Sequence, residues 1–232
     1  MMKKIALITF LSSAFLFCQQ LFAQEVNNLV NKLKAKMELI NDYTVEAKMR
    51  TNVAFIKAPI GKVKIYFKKP DQLKIVREKG ISILPKGGST INFFSTLNFT
   101  NTSIIDAGNT VVSGTNTKVV KLLPLSENSD IIITTLYIDE QNLLIKKSAT
   151  TTKENGSFEM EMFYNNYQNI GLPDKMILSF NVKDYKMPKG ITLDIDDDLS
   201  KEEKSKFQNK KGKVEFIYSN YIINKGIAKG IF

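Results

Sequence analysis

The chain has 232 residues, 43% hydrophobic and 24% charged, with 33 Lys and Arg against 23 Asp and Glu for a net charge of +10. It holds no His and one Cys, which excludes Ser-His-Asp and Cys-His nucleophile systems, His-ligated metals, internal disulfides and thiolate clusters. The apolar share suits a packed domain and is too high for a disordered chain.

Residues 1–23 read as a secretory signal peptide. Lys3 and Lys4 supply the positive start, Ile5 to Cys18 the apolar run, and Ala23 a small residue for cleavage. The run is shorter than the ~20 apolar residues that a spanning helix needs. Lipidation of Cys18 is disfavoured by the bulky Phe17 before it. Residues 24–232 are then expected to form a single domain with no thiol, as suits an oxidising compartment. The positive excess is carried almost entirely by lysine; Arg50 and Arg77 are the only arginines. That describes a diffuse field rather than a set of forked phosphate clamps, and after export it points away from nucleic acid.

In chain order, Val26, Leu29, Val30, Leu33, Met37 and Ile40 recur at three- and four-residue steps, which predicts an amphipathic helix from Glu25 to Ile40. The period then changes to two. Tyr43 to Phe55 alternates apolar and polar residues, as do Val63 to Phe67 and Leu73 to Arg77, with turns at Ala58 to Gly61 and at Lys69-Pro70-Asp71. Ile81 to Thr115 has only short apolar pieces (Ile91 to Phe94, Leu97 to Phe99, Ile104-Ile105, Val111-Val112), compatible with short strands or with a helix-bearing insertion. Strands return over Thr117 to Leu123, Ile131 to Ile138 and Leu143 to Thr152, with a turn at Asp139 to Asn142. Asn155-Gly156 marks a tight turn, and Phe158 to Tyr164 and Met176 to Val182 alternate again around a turn at Gly171 to Asp174. Ser200 to Glu203 opens a short polar helix to about Gln208, and Val214 to Ile223 is the last strand.

Strand follows strand, which argues for an antiparallel meander rather than βαβ units. Each strand has an apolar and a charged face. One helix is too small to cover so many apolar faces, so the sheet must curl on itself or enclose something else that is apolar.

Sites of chemistry are sparse. Asp194 to Asp198 lacks the Gly and the distal Glu of a calcium loop and reads as a solvated loop. Glu159 and Glu161 share a strand face, where an acid and base pair is conceivable, but alternating Glu on a wet face is ordinary. Tyr164 to Tyr167 and Tyr218 to Tyr221 echo each other as Tyr-x-Asn-Tyr or Tyr-Asn-x-Tyr; similar strand-end chemistry accounts for that. No Gly-rich phosphate loop occurs.

The most informative stretch is the hairpin Gly61-Lys62-Val63-Lys64-Ile65-Tyr66-Phe67-Lys68-Lys69-Pro70-Asp71-Gln72-Leu73-Lys74-Ile75. It resembles the LolA-type outer-membrane lipoprotein carriers, with a Gly-started strand ending in aromatic, basic, basic, Pro and an apolar strand returning. Thr135 to Asp139, Tyr164 to Tyr167 and Gly171 to Lys175 extend the resemblance in the right order. It runs from about Glu25 to Val182 and again over Val214 to Ile223. The resemblance implies a mainly β fold with flanking helices, an incomplete antiparallel β-barrel (half-barrel) with a helical lid around an apolar cavity that receives acyl chains. The basic residue before the Pro, which in the family is typically Arg and latches the lid, is here Lys69, which lacks the fork. The aromatic expected three residues past the Pro is Leu73.

The expectation is thus a periplasmic carrier, not an enzyme and without a cofactor, that escorts acylated lipoproteins or other lipids toward the outer membrane. The candidate acyl-contacting residues are Val45, Ala47, Met49, Val63, Ile65, Phe67, Leu73, Ile75, Met160, Met162, Leu178 and Phe180, with Lys69 as candidate latch. By resemblance its partners are an inner-membrane lipoprotein-release transporter and an outer-membrane acceptor, with transient membrane contact. The alternative is a secreted β-rich module with a closed core that binds a protein or glycan.

Overall fold

The computed structural model of the chain describes residues 24–52, 61–70, 72–77, 101–153, 156–181 and 211–232. The signal segment, the polar helix expected at Ser200 to Gln208 and the acidic run Asp194 to Asp198 lie outside the described residues.

Helix α1 spans residues 24–38. Its apolar stripe is the predicted one: Val26, Leu29, Val30 and Leu33 are buried and Met37 half-buried. It stops two residues before Ile40. The Leu39 and Ile40 N–H groups donate to the Lys36 and Met37 carbonyls at 3.4 and 3.2 Å, three-residue bonds that tighten the final turn.

Ten strands follow among the described residues: β1 (Asp42–Asn52), β2 (Gly61–Lys68), β3 (Gln72–Arg77), β4 (Thr102–Val112), β5 (Thr115–Pro124), β6 (Ile131–Asp139), β7 (Leu144–Thr152), β8 (Ser157–Phe163), β9 (Lys175–Asn181) and β10 (Lys211–Ile223). They make one antiparallel sheet in the order β3-β2-β1-β10-β9-β8-β7-β6-β5-β4. Neighbours in sequence are neighbours in space except β3 and β4, and the first and last described strands, β1 and β10, pair with each other. Among the described strands β3 and β4 form the two edges and do not pair with each other, so the sheet stays open.

Of the stretch left open by the sequence, Ile81 to Thr115, residues 81–100, with Ile91 to Phe94 and Leu97 to Phe99, lie outside the described residues, and the described part is mostly one long strand. Ile104-Ile105 and Val111-Val112 both belong to β4. Gly108, at φ +83°, lies within a register shift between Asp106 and Asn109, so the strand continues where its alternation breaks.

Cross-strand register puts the apolar alternations on one face. Val45 lies opposite Ile65, and Ile65 opposite Ile75. A second row runs across the sheet through Val214, Leu178, Met160, Ser148, Leu136 and Val120. This inner face and α1 share one core cluster. The outer face carries Glu46, Lys48, Arg50, Lys62, Lys64, Glu159, Glu161, Lys213 and Glu215, several of them joined as surface ion pairs.

Candidate functional site: the inner face of the sheet

All of the acyl-contact candidates lie on this inner face. Val45, Ala47 and Met49 come from β1, Val63, Ile65 and Phe67 from β2, Leu73 and Ile75 from β3, Met160 and Met162 from β8, Leu178 and Phe180 from β9. Most are buried; Leu73 and Phe180 are half-buried and pack against the core from its margin. Further residues join them on the same face: Val120, Leu122, Leu136, Ile138, Ile145, Phe158, Met176, Val214, Phe216 and Tyr218. Alternation within each strand signalled these, but the pairing that aligns one strand with the next is needed to see them as one surface.

The helix is small beside that surface. At 1.5 Å per residue α1 is about 22 Å long and about 10 Å wide. Ten strands ~4.8 Å apart and about nine residues long present a face of about 43 by 30 Å. The helix footprint is therefore about a sixth of the face. Three attachments hold α1 at one end of the sheet. Lys36 Nζ donates to the carbonyls of Asn142, in the β6–β7 turn, and Gln168, after β8, at 2.8 and 2.9 Å. Burial lowers the Lys36 pKa, and the charge of Asp139 acts against that. Ile40 joins Phe67 and Leu172 in a second small cluster.

Lys69 makes the third attachment. Its Nζ donates to the Glu38 carbonyl at 2.5 Å and its backbone N–H to the Asn41 carbonyl at 2.9 Å. A cation on the last carbonyls of a helix is favourable in both hydrogen bonding and dipole terms. The structure thus places Lys69 at the end of α1. Its role as a lid latch is not tested by this contact, and residues 78–100 lie outside the described residues.

Tyrosines close the same end. Tyr43 stacks on Phe67 at 5.1 Å, and Tyr221 meets Tyr43, Tyr218 and Tyr167 at 5.6, 5.8 and 4.7 Å between ring centres. The sequence echo therefore brings two of its own members, Tyr167 and Tyr221, into contact. A bulge explains how Tyr218 and Tyr221, three apart, share a face. The register shifts between Thr44 and Glu46, and Asn220 takes the left-handed conformation at φ +57°. The Tyr164 hydroxyl donates to the Ile145 carbonyl at 2.8 Å and that of Tyr221 to the Pro173 carbonyl at 2.9 Å.

Polar groups interrupt the inner face at its β4 to β7 side. Lys118 Nζ lies 2.6 Å from Asp106 Oδ2. Thr134 and Thr150, directly opposite each other, share a hydrogen bond at 3.2 Å between their hydroxyls. The Ser148 hydroxyl, on a residue 1% exposed, has no hydrogen-bond partner among the described residues. Sequence reasoning missed Ser148 and Thr150 because β7 reads Leu-Ile-Lys-Lys-Ser-Ala-Thr-Thr-Thr, with no apolar alternation to mark a face.

At the rim a polar hollow of about 750 Å³ lies between the β4–β5 and β6–β7 turns, lined by Asn109, Thr110, Asn116, Asp139, Gln141 and neighbours. No acyl-contact candidate lines it. The Asp139 carboxylate accepts the Gln141 and Asn142 N–H groups at 3.1 and 3.2 Å, so it holds the turn. Glu159 pairs with Lys147 at 3.0 Å on the outer face, an arrangement of a solvated strand. Among the described residues no group of three or more His, Cys, Asp and Glu side chains is placed to hold a metal ion, and no helix is long and apolar enough to cross a membrane.

No protein-family model and no curated protein matches the chain. Solved structures do. A domain from Vibrio parahaemolyticus described as an outer membrane lipoprotein-sorting protein domain matches 89% of this chain and 95% of its own, with a TM-score of 0.59 and 10% identity. A DUF1329 family protein from Desulfovibrio piger matches over the same shares, with a TM-score of 0.59 and 11% identity. A LolA superfamily protein from Nitrosomonas europaea covers 85% of this chain and 94% of its own, at 11% identity and a TM-score of 0.49. The chain has a LolA-like fold, mainly β with a flanking helix on an open antiparallel sheet.

Proposed function

We propose that this protein is a periplasmic lipid-binding carrier. It holds the acyl chains of lipoproteins against the inner face of the sheet and escorts them toward the outer membrane. One observation carries the reading: a mainly apolar inner face that reaches from β3 to β5, on which α1 occupies only about a sixth of the area. The likeness to a lipoprotein-sorting domain supports it at the level of fold. No bond is made or broken in this function.

The chemistry is burial. Each methylene taken from water contributes about 0.8 kcal/mol, so about a dozen contribute roughly 10 kcal/mol. Methionine suits a face that must accept flexible chains, and Met49, Met160, Met162 and Met176 all lie on it. The half-buried Leu73 and Phe180 lie at opposite ends of the face, Leu73 beside Phe67 at the tyrosine end and Phe180 opposite Gly212 at the other. The lysine-rich outer face favours encounters with anionic membrane surfaces or acidic partners. Donor and acceptor proteins would be an inner-membrane release transporter and an outer-membrane receptor.

Delipidated protein should bind a fluorescent fatty acid saturably, and an acylated lipoprotein should displace it. Leu73→Glu should weaken that binding at least about tenfold, the order expected for placing a carboxylate against an acyl chain, with an unchanged circular dichroism spectrum. Absence of saturable binding to the wild-type protein would leave the closed-core module instead.

A further inference from the structure

We infer that the polar hollow between the β4–β5 and β6–β7 turns is a binding site for a neutral oligosaccharide, held by the side-chain amides of Asn109, Asn116 and Gln141. The site is separate from the surface that the carrier reading uses, since no acyl-contact candidate lines it.

The hollow has the size and the fixed walls of a ligand site. Its volume of about 750 Å³ lies within the range of about 300–1,000 Å³ of small-molecule sites. On one wall the buried Thr117 donates its hydroxyl to the Thr110 carbonyl at 2.9 Å. On the other the buried Asp139 accepts hydrogen bonds from the Gln141 and Asn142 N–H groups and from the Asn142 side chain. Both turns are thus ordered before any ligand arrives, which lowers the cost of binding. Between them, the side-chain amides of Asn109, Asn116 and Gln141 and the carboxylate of Glu140 make no hydrogen bond or ion pair with other described residues. Amides elsewhere in the fold behave differently. Asn166 bonds Asp174, Asn220 bonds Glu46, and Asn224 bonds the Leu39 carbonyl. Those amides hold the protein together, whereas the amides of the hollow line open space.

The lining selects by charge. No Lys or Arg is among the described residues that line the hollow, although the chain has 33 of them. A phosphate or carboxylate would meet Asp139 and Glu140 with no cation to offset them. A cation would have only Glu140, because Asp139 is committed to its turn, and one exposed carboxylate holds a cation weakly. A hydrocarbon would leave every amide unmatched. The match is a neutral ligand rich in groups that both donate and accept. A side-chain amide does both, and so does each hydroxyl of a sugar. Val111, 62% exposed in the same wall, supplies an apolar contact for the C–H face of a sugar ring. An extended peptide instead pairs its backbone with a strand edge. Here the free groups are side chains drawn from two turns around a concavity.

The test is an NMR titration of isotope-labelled protein. Cellotetraose, chitotetraose and mannotetraose are the saccharide probes; tetra-alanine, inositol hexaphosphate and spermine are the peptide, anion and cation probes. At least one tetrasaccharide should shift the side-chain amide signals of Asn109, Asn116 and Gln141 saturably. Asn116→Ala and Gln141→Ala should each weaken that binding about 3- to 10-fold, the range of one neutral hydrogen bond. Both positions are exposed, so backbone signals in the rest of the sheet should stay where they are. Fluorescent fatty acid should bind both variants as it binds wild-type protein, so loss of the saccharide site and loss of the carrier reading are read separately. Three outcomes each overturn the inference: no saturation by any tetrasaccharide, equal saccharide affinity in wild type and both variants, or tighter binding of tetra-alanine or of a charged probe at the same signals.

Discussion

Asp106 and Lys118 show what a charge costs on an otherwise apolar face. Asp106 lies opposite Val120, and Lys118 opposite Ile138. Burial works to raise the Asp106 pKa, but the hydrogen bonds from Lys118 and the Gly108 N–H, with the charge of Lys118, outweigh it and hold the carboxyl below the usual carboxylate range. The folded value is the lower one, so the stability from this pair is complete above the unfolded pKa of about 3.9 and is lost as pH falls through the folded value. Urea unfolding at pH 6 and pH 3 should show wild-type stability falling more than that of Asp106→Asn, whose side chain cannot titrate. Parallel falls would show that Asp106 does not carry the acid sensitivity.

The pairing of β9 with β10 illustrates how one element's residue choice depends on its neighbour. Gly212 lies opposite Phe180, and a Cβ built on it would meet the Phe180 ring at 2.6 Å. The glycine lets the aromatic ring lie across the neighbouring strand, where it covers backbone that has no side chain of its own. Gly212→Ala should destabilise by about 1–3 kcal/mol, the usual range for overpacking, read as a lower urea midpoint. Adding Phe180→Leu should recover part of the loss, whereas simple additivity of the two would show that they do not collide. The same dependence separates β4 from the strands that were plain in sequence. Strands β2, β8 and β9 alternate cleanly. In β4 the register shift at Asp106 to Asn109 splits the apolar pairs Ile104-Ile105 and Val111-Val112, so period-two counting finds two fragments where hydrogen bonding to β5 makes one strand.

At the scale of the molecule, the β1 and β10 pair joins the first and last described strands, and the tyrosine cluster sits on that joint. Burial first, and for Tyr218 and Tyr221 the neighbouring tyrosines next, hold the pKa of Tyr43, Tyr164, Tyr218 and Tyr221 above the ordinary 10.0. These groups are more acidic unfolded than folded. Their stabilisation is complete below pH 10 and is lost as pH rises above it toward the raised folded values. Alkaline titration should therefore show tyrosinate absorbance from these residues appearing together with loss of the circular dichroism signal. Tyrosinate absorbance equivalent to the whole cluster, developing near pH 10 in a still-folded protein, would contradict the cluster's withdrawal from water. Tyr221→Phe should move the alkaline transition to higher pH while lowering stability at neutral pH by about 1 kcal/mol, through loss of the bond to the Pro173 carbonyl.

The amino-acid order by itself determined the amphipathic helix, the faces of β1, β2, β3, β8 and β9, and the antiparallel meander, because each follows from the local period of apolar residues. It also carried the hairpin around Pro70 on which the family resemblance rests. The tertiary structure alone decided that β1 joins β10, that Lys69 ends α1, that Tyr167 meets Tyr221 and that Ser148 lies in an apolar row. Each of these depends on which strand lies beside which, and in what register. Pairing between distant segments is set by the free energy of the whole sheet, which no short window of residues contains.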